Sequence, residues 1–413
     1  LHVRSRRQRQ MCIRDSFCSY SLCEYNSLHL HIYYINPYRH MTIQAFSAII
    51  PDVRDDKNKI YQSNEIVFIA LVSVICGADT WNEIETFGKT HESYFKTRLP
   101  GLTSIPSHDT LSRFFSILDI DWFEECFRLW VDDICRKIPG VVAIDGEAVC
   151  DNPHKNSRSK NGVRSKLYIV SAWSVSNGIC LGQKKVEEKS NEIKAIPELI
   201  KALDLENCII TIDAMGCQKS ITKLIIENKA DYILCAKDNH ETLRDMIEFN
   251  LSEETRYYLC HAKRYFEENE GHGRSEYREC ICISAKNLQY FLKGWTGIKT
   301  LAMINSIRKT GDKEATMETR YYISSLEPDP VLILKSVRSH WEVENNLHWV
   351  LDIGFREDDD RKTGNAAINF SAISKLALML LKQSDIKLGM AGKRKACGWD
   401  EKIRDKVIGI GKI

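Results

Sequence analysis

The stretch Val141–Asp145, which reads Val-Val-Ala-Ile-Asp and is closed by Gly146, decides the fold of this chain. Its four apolar residues, three of them β-branched, predict a short buried strand that ends in an acidic residue. The stretch Cys208–Asp213, Cys-Ile-Ile-Thr-Ile-Asp, repeats this pattern and is followed by Ala-Met-Gly. Two such strands, side by side in one sheet, would bring two carboxylates together.

Length and composition indicate an ordinary globular enzyme of several domains. The chain has 413 residues, of which 43% are hydrophobic and 28% charged. This length suits two or three domains. A formal net charge of +2 does not by itself indicate a nucleic-acid partner, so local charge clusters must decide that question.

The fifteen cysteines contain no Cys-x-x-Cys pair. Cys280 and Cys282 alternate on a predicted strand, and most other cysteines lie in apolar runs. We therefore predict reduced core cysteines in a cytosolic protein, with a structural zinc site as the alternative. The longest apolar run, Ile66–Cys76, has about half of the ~20 residues that a membrane span needs, which predicts a core helix and no membrane partner.

Residues 1–40 differ from the rest of the chain. Arginines crowd this segment without an apolar period, and no signal-peptide core follows them. Part of the segment resembles translated sequencing-adaptor read-through. We predict a disordered or artefactual leader, with a basic DNA-binding arm as the alternative.

Residues 41–138 have a helical pattern. Ser63 precedes the apolar run that begins at Ile66, and Ser107 is placed to cap a helix that contains Phe114 and Leu118. Short helices with tight turns are typical of DNA-binding helix-turn-helix domains and equally of packing bundles. An N-terminal helical domain is predicted, and its contact with DNA is left open.

From Val141 onward, strands alternate with helices. The turn Ser176-Asn177-Gly178 predicts a hairpin, and helices are predicted around Ala195–Leu203 and Cys217–Lys229. The order strand, strand, strand, helix, strand, helix, strand is that of the ribonuclease-H-like fold. In that α/β fold the first and fourth strands are neighbours, which would put Asp145 beside Asp213.

The remaining segments complete the predicted domain plan. Residues 139–385 form a ribonuclease-H-like mixed-sheet catalytic core, with a β-rich insertion at about 256–325. Residues 386–413 form a basic C-terminal tail without a clear core period. A long helix is predicted from Val331 to about Phe355, and a last one over Ala372–Lys382.

The long helix offers a third acid. Glu342 and Glu344 lie about 200° apart on a helix, so only one of them can face the sheet. Leu347, Val350 and Leu351 mark the buried side and favour Glu344.

Three converging carboxylates have a defined chemistry. Magnesium takes oxygen ligands and is commonly held by a few carboxylates with substrate phosphate and water. Two ions roughly 3.5–4 Å apart can activate the attacking oxygen and stabilise the leaving oxygen of a phosphoryl transfer. The pattern predicts phosphodiester cleavage or transfer, although any single acid at a strand end also fits a turn or cap residue.

Several short sequence motifs resemble those of a known protein family. They are Val-Ser-Ala-Trp-Ser (170–174), Leu-Gly-Gln-Lys-Lys-Val (181–186), Glu-Lys-Ser-Asn-Glu-Ile (188–193), Ile-Pro-Glu-Leu (196–199), Thr-Ile-Asp-Ala-Met-Gly-Cys-Gln-Lys (211–219), His-Gly-Arg (272–274), Thr-Arg-Tyr-Tyr-Ile-Ser-Ser-Leu (319–326) and Arg-Ser-His-Trp-Glu-Val-Glu-Asn-Asn-Leu-His-Trp-Val-Leu-Asp (338–352). Together they resemble the ISAs-type DDE transposases, which include the H-repeat-associated proteins and are similar to the insertion-sequence-4-like group. The resemblance covers about residues 41–385.

This resemblance implies a metal-dependent transposase that excises and reinserts its own element at terminal inverted repeats. It implies Asp145, Asp213 and Glu344 as catalytic residues and ligands of two Mg²⁺ ions, for which Mn²⁺ can substitute. The implied partners are double-stranded transposon-end and target DNA and a second subunit in a synaptic dimer. Glu147 stands where relatives often have lysine, and His340 and Leu351 replace the basic residues of the insertion-sequence-4-like signature around the catalytic Glu.

Basic and polar residues near the predicted site are candidates for DNA contact. The loop after the first Asp is basic without acids, and we favour a phosphate clamp over a solvated loop. For the other candidates, turns and helix packing are the alternatives. The full set is Lys155, Arg158, Lys160, Arg164, Lys166, Lys237, Asn239, His272, Arg274, Arg338, His340 and Arg361.

Two rival functions remain open at this stage. A ribonuclease-H-like nuclease would cut branched DNA without recognising inverted repeats. An inactive relic of a transposase would bind DNA without metal-dependent nicking.

Overall fold

Nine strands form one mixed sheet with the order β3-β2-β1-β4-β5-β9-β8-β7-β6. The structure, a computed structural model, describes residues 42–52, 54, 59–134, 140–149, 167–186, 192–252, 261–271, 273–311 and 313–409. The strands are β1 (Gly140–Ala148), β2 (Tyr168–Ser174), β3 (Ile179–Val186), β4 (Cys208–Ile212), β5 (Asp231–Ala236), β6 (Lys263–Gly271), β7 (Arg274–Ser284), β8 (Thr300–Thr310) and β9 (Thr316–Ser324).

The first five strands have the order that the ribonuclease-H-like prediction requires. β1 lies between β2, to which it is antiparallel, and β4, to which it is parallel. The hairpin of β2 and β3 turns at Gly178, whose φ of 64° is a conformation that glycine adopts readily. The sequence-based prediction that the first and fourth strands are neighbours is therefore confirmed.

Strand β1 is longer than predicted. It continues through Ala148, so Asp145 lies within the strand and not at its end. The reason is the partner on the other side, because β2 pairs with β1 as far as Ala148 opposite Tyr168. The last β1 residue that pairs with β4 is Ile144, opposite Ile212. Asp145 is thus the first residue of β1 that pairs with β2 but no longer with β4.

The segment predicted as a β-rich insertion extends the same sheet. β9 pairs antiparallel with β5, with Ala236 opposite Tyr321, and β8, β7 and β6 follow as antiparallel neighbours. The inner ends of these strands are buried, with Cys280, Cys282 and Tyr322 in one apolar cluster. Their outer ends carry mainly exposed residues.

Fourteen α-helices lie in the described part of the chain. They are α1 (Ile43–Ala48), α2 (Ser63–Ile75), α3 (Trp81–Thr90), α4 (Glu92–Arg98), α5 (His108–Ile117), α6 (Ile120–Ile134), α7 (Glu192–Ala202), α8 (Lys219–Glu227), α9 (Glu241–Leu251), α10 (Pro330–His340), α11 (Trp349–Phe355), α12 (Asn365–Gln383), α13 (Met390–Trp399) and α14 (Glu401–Ile408). Ser107 caps α5 as predicted, since its side chain accepts from the backbone N–H of Thr110.

The long helix predicted over Val331–Phe355 is broken. α10 ends at His340, a π-helix spans Glu344–His348, and α11 follows directly. A π-helix inserts one extra residue into a turn and rotates the side chains after it, and such turns occur frequently at functional sites. The uninterrupted-helix prediction was therefore wrong at the segment that carries the third acid.

Helix α12 connects the N-terminal helices with the sheet. It packs against α2, α5, α6 and β3, and most of its side chains are buried. Asn369 donates to the carbonyls of Phe115 and Leu118, at 2.9 and 3.0 Å, which ends α5 against this helix. Residues 42–409 accordingly belong to one compact unit.

The C-terminal segment, predicted as a basic tail without core period, forms helices α13 and α14. Arg404 is buried, and its guanidinium lies over the rings of Phe87 and Tyr94 at 5.1 and 4.5 Å. Arg394 donates to the carbonyl of Val74 and lies 4.2 Å from the Phe355 ring. These arginines bind the chain end to the N-terminal helices and to α11.

None of the helices in the described ranges is long and apolar enough to cross a membrane. The nine cysteines that the structure describes are free, and all but Cys76 are buried. Eight of these nine cysteines therefore lie in the core, as predicted.

Candidate active site

Asp145 and Asp213 share one face of the sheet. Side chains alternate along a strand, and directly paired residues of neighbouring strands point to the same face. Ile144 pairs with Ile212, so the next residue on each chain, Asp145 and Asp213, lies on the opposite face from that pair. Both acids stand directly after the last pair of the β1/β4 ladder.

The surroundings of Asp145 are strongly acidic. The pKa of the Asp145 carboxyl is raised to about 7, chiefly by burial and also by the charges of Asp213, Glu344 and Glu192, while a hydrogen bond from the Gly146 backbone opposes the rise. The mutual repulsion requires these acids to be near one another. A cation at this position would relieve that repulsion.

Asp213 is held by its own turn. Its Oδ1 accepts from the backbone N–H groups of Met215 and Gly216, at 3.0 and 3.3 Å, and so caps the short 3₁₀ helix Ala214–Gly216. Asn239, in the turn after β5, donates from Nδ2 to the carbonyl of Ala214 at 2.7 Å. The side chain of Asp213 is exposed but its orientation is restrained from two sides.

Glu344 and Glu342 face different groups. The charge of Glu344 acts on Asp145, whereas the charge of Glu342 acts on Lys382 of α12, where it opposes the burial that lowers the pKa of that lysine to about 8. Val343, Leu347 and Leu351 are buried beneath the segment. The orientation deduced from helical geometry, with Glu344 toward the sheet acids, agrees with these interactions.

Sequence reasoning missed Glu192, the first residue of α7. Its carboxyl group lies against the backbone of Gly146, where a Cβ would come within 2.6 Å of the carboxyl carbon. Glu192 is buried and its charge acts on Asp145. A glycine directly after a strand acid was the available signal, because it allows another group to approach the backbone closely.

His340 and His348 cover this face of the sheet. The Nδ1 of His340, at the end of α10, lies 3.1 Å from the hydroxyl of Thr211. Burial lowers the pKa of His340 to about 4, although the charge of Asp213 opposes the shift. Burial lowers the pKa of His348 to about 3, so both imidazoles are neutral at neutral pH.

A buried polar cluster adjoins Asp145. The Nδ1 of His348 lies 3.6 Å from Oδ2 of Asp145 and 3.5 Å from Oε2 of Glu147. Burial, with the charge of Glu357, raises the pKa of Glu147 well above its ordinary value, while Lys375 opposes the shift. The Nζ of Lys375 lies 3.9 Å from Oε1 of Glu147. The departure from the family pattern at Glu147 thus coincides with a buried acid.

The three carboxylates are suitable ligands for a hard divalent cation, but they do not lie close enough together to bind one as they stand. Carboxylate oxygens are the ligands that Mg²⁺ and Mn²⁺ prefer. Within the described ranges, however, no three side chains of His, Cys, Asp or Glu stand close enough to hold a metal ion as they are. The acid chemistry of Asp145, Asp213 and Glu344 fits the ion, and their coordination would require an inward movement of the side chains.

Three of the candidate DNA-binding residues have exposed side chains, and two of them lie beside the Asp213 turn. Lys237 and Asn239 follow β5 in the turn that contacts Ala214, and Arg361 is exposed between α11 and α12. The amide of Asn239 is engaged by the Asp213 turn, as described above.

Two further candidates are paired with acids in the outer sheet. Arg274 forms an ion pair with Glu276 on β7, and Arg338 on α10 forms one with Glu267 on β6. Arg338 therefore connects α10 to the outer strands. The other candidates, Lys155, Arg158, Lys160, Arg164, Lys166 and His272, lie outside the described residues.

The order of the first five strands is that of the ribonuclease-H-like class of proteins. Residues 136–381 match the family model described as a transposase DDE domain, and residues 43–131 match the model described as DDE_Tnp_1-associated. The chain belongs to this family of DDE transposases, and it is thus an enzyme that acts on DNA.

Relatives extend over most of the chain. It is 39% identical over 368 residues to a putative transposase, YncI, of Escherichia coli O157:H7, which covers 86% of this chain and 92% of the relative. It is 35% identical over 376 residues to the H repeat-associated putative transposase YhhI of Escherichia coli K12, with 87% and 96% covered. A solved piggyBac transposase synaptic complex with hairpin DNA overlaps 89% of this chain and 78% of that chain, at 12% identity and a TM-score of 0.42.

Proposed function

We propose that Asp145, Asp213 and Glu344 are the catalytic acids of this transposase, which cleaves DNA at the terminal inverted repeats of its element and joins the freed ends to target DNA. One observation carries the proposal: Asp145 and Asp213 directly follow Ile144 and Ile212, the last pair of the β1/β4 ladder, and the charge of Glu344 acts on Asp145. Three carboxylates from two strands and a facing helix can be brought to one phosphate group.

The proposed cofactor is a pair of Mg²⁺ ions, for which Mn²⁺ can substitute. Bound there, they would supply charge neutralisation at the phosphate and an activated attacking oxygen. Asp145, Asp213 and Glu344 would hold them. The hydrogen bonds to Oδ1 of Asp213 keep that carboxylate turned toward its own helix cap, which leaves Oδ2 as the oxygen to bind.

The neutral histidines have a different task in this proposal. A neutral imidazole beside an acid does not compete with a cation for the carboxylate as an imidazolium would. His340 and His348 therefore pack the face of the sheet without occupying the acids. We assign the role of His340 to packing next to Asp213, and any contact with DNA is secondary.

The DNA would lie across this edge of the sheet. Lys237 is exposed beside the Asp213 turn and Arg361 is exposed between α11 and α12; both are assigned to phosphate contacts, with Asn239 holding the Asp213 turn. Arg274 and Arg338 would exchange their acid partners for phosphates. We include Lys155, Arg158, Lys160, Arg164, Lys166 and His272 in the same interface on the charge of their sequence alone.

The proposal extends to assembly and location. Transposition joins two element ends, so a homodimer with one active site per end is the simplest synaptic complex. The substrate is chromosomal DNA, which places the enzyme in the cytoplasm at the nucleoid.

The test is DNA cleavage by the purified full chain with a duplex that carries an inverted repeat and its flank. We expect Mg²⁺-dependent cleavage that falls at least about 100- to 1,000-fold in Asp145→Asn, Asp213→Asn and Glu344→Gln, because each loses transition-state charge stabilisation. DNA binding by gel shift should persist. Glu342→Gln is the matched control, since that residue faces Lys382 and should retain cleavage.

Retained cleavage in two of the three acid variants would sink the assignment. Cleavage of branched DNA without preference for the repeat would favour the nuclease alternative. Absence of metal-dependent nicking in the wild-type protein would favour an inactive DNA-binding relic.

A further inference from the structure

A buried lysine lies behind the strand that carries Asp145. Lys375 is on α12 and is about 1% exposed. Its Nζ donates to Oγ of Ser171 at 3.1 Å and to Oε1 of Gln183 at 2.7 Å. Burying an ammonium group costs free energy, and a well-packed apolar side chain of similar volume is often as stable or more so. Packing alone therefore does not explain a lysine here.

The residues that Lys375 contacts form a row with Asp145. Asp145 on β1 pairs with Ser171 on β2, and Ser171 pairs with Gln183 on β3. Directly paired side chains share a face of the sheet, so Asp145, Ser171 and Gln183 stand side by side. Lys375 joins the second and third members of this row from above.

Lys375 also approaches the same strand two residues further along. Glu147 lies on the Asp145 face of β1 because the side-chain period is two, and its Oε1 is 3.9 Å from the lysine Nζ. The lysine thus contacts Ser171, which pairs with Asp145 on the adjacent strand, and lies near Glu147, two residues beyond Asp145 on β1. Movement of β1 at Asp145 would break both contacts.

The cluster continues to the segment of Glu344. His348 ends the π-helix that begins at Glu344, and its Nδ1 lies 3.5 Å from Glu147 and 3.6 Å from Asp145. The path from Lys375 through Glu147 to His348 therefore connects the strand of one acid with the helix of another. At the other end of the row, Glu124 on α6 accepts a hydrogen bond from the backbone N–H of Gln183.

We propose that Lys375 is a positioning residue that fixes β1 and the Glu344 segment relative to each other, so that Asp145 and Glu344 can bind one metal ion. Lys375 touches neither substrate nor metal and acts through Ser171, Gln183 and Glu147. This inference rests on the proposed function of the acids but concerns residues outside them.

The test uses Lys375→Met, which keeps the length of the side chain and removes its charge and hydrogen bonds. Mn²⁺ binding to the full chain without DNA is followed by electron paramagnetic resonance, and cleavage of the repeat duplex is measured against Mg²⁺ concentration. We expect Mn²⁺ affinity and cleavage at limiting Mg²⁺ to fall about 10- to 100-fold, as for residues that orient metal ligands. Binding of the duplex should stay within about twofold of wild type.

Lys382→Met is the matched control on the same helix. Its ammonium is partly buried, lies 4.4 Å from the Trp173 ring and takes no part in the row. We expect Mn²⁺ affinity close to that of wild type. Equal losses in the two variants, or losses that follow the unfolded fraction measured by circular dichroism, would assign Lys375 a merely structural role.

Ser171→Ala keeps the test decisive if Lys375→Met does not fold. It removes one acceptor of the ammonium without a buried charge change, and we expect several-fold weaker Mn²⁺ binding. Wild-type Mn²⁺ affinity in Ser171→Ala or in folded Lys375→Met would overturn the inference. Failure of the proposed function has a different signature, because Asp145→Asn and Glu344→Gln would then bind Mn²⁺ as wild type does.

Discussion

The two halves of the nine-stranded sheet differ in the surroundings of their charged side chains. In the inner half, β3-β2-β1-β4-β5, the side chains of Asp145 and Glu147 are 18% and 12% exposed and lie beside His348, and Lys375 of α12 is the cation near them. In the outer half, β9-β8-β7-β6, Glu276 and Glu267 are about as buried, at 13% and 16%, but they pair with arginines that are 40–56% exposed. Both halves hold half-buried acids, but those of the outer half are neutralised by arginines that reach solvent.

The difference indicates where the fold carries a free-energy cost. Exposed pairs are screened by water and salt and contribute little to stability. Buried acids that repel one another destabilise the folded state, and natural proteins retain such groups mostly at functional sites. The inner half therefore has properties expected of an active site, and the outer half those of a stabilising and contact surface.

Gly146→Ala tests the inner half with the largest expected effect on stability. The new methyl group would lie 2.6 Å from the carboxyl carbon of Glu192, so this buried side chain would have to shift. We expect a loss of about 1–3 kcal/mol in the free energy of unfolding, typical of an overpacked core. Urea denaturation followed by tryptophan fluorescence measures it.

Gly271→Ala is the matched substitution in the outer half. A Cβ at the end of β6 meets nothing within 4 Å, so the change should stay within about 0.5 kcal/mol of wild type. Adding Glu192→Ser to Gly146→Ala should recover part of the loss, because it removes the clashing group. Equal effects at the two glycines would contradict the distinction between the halves.

Glu124→Gln tests the cost of a buried acid through pH. Burial raises the pKa of Glu124 from 4.5 to about 7, against a hydrogen bond from Gln183 and the charges of Lys375 and Arg128. Folding then costs free energy once pH exceeds the unfolded pKa, and the cost grows until pH passes about 7. The variant should gain about 1–2 kcal/mol relative to wild type at pH 8.

Urea denaturation from pH 4 to pH 8 measures this difference. At pH 4 the wild-type carboxyl is protonated in both states, so the two proteins should there be about equally stable. The wild-type decline will not disappear entirely, because Glu147 and Glu357 also have raised pKa values. A constant offset between the proteins at all pH values would contradict the titration of Glu124.

Much of the architecture was predictable from local pattern. Apolar β-branched runs identified β1, β4 and β5, and Asn177-Gly178 identified the hairpin, because both signals act between sequence neighbours. The choice of Glu344 over Glu342 was based on helical geometry and on the side marked by Leu347, which is buried. The roles of Asp145, Asp213 and Glu344 stay predictions that the cleavage experiment tests.

The remainder depends on contacts distant in sequence. No proline or glycine marks the π-helix at Glu344–His348, so the break in the helix had no local signal. Lys375 stands in an apolar run and is explained only by Ser171 and Gln183, some two hundred residues earlier. The segment that contains Arg394 and Arg404 was predicted to be a basic tail, because the ring and carbonyl groups that these arginines contact lie on other helices.

Arg308→Gln tests the outer half and should have the smallest effect. Arg308 is 56% exposed and pairs with Glu276 at 3.0 Å, and Glu276 keeps Arg274 and Arg278 when it is lost. We expect less than about 0.5 kcal/mol of destabilisation in 0.15 M salt, decreasing further in 1 M salt. A salt-independent loss above about 1 kcal/mol would mean that the outer ion pairs are not screened by solvent. Solvent screening of the charges would then no longer distinguish the two halves.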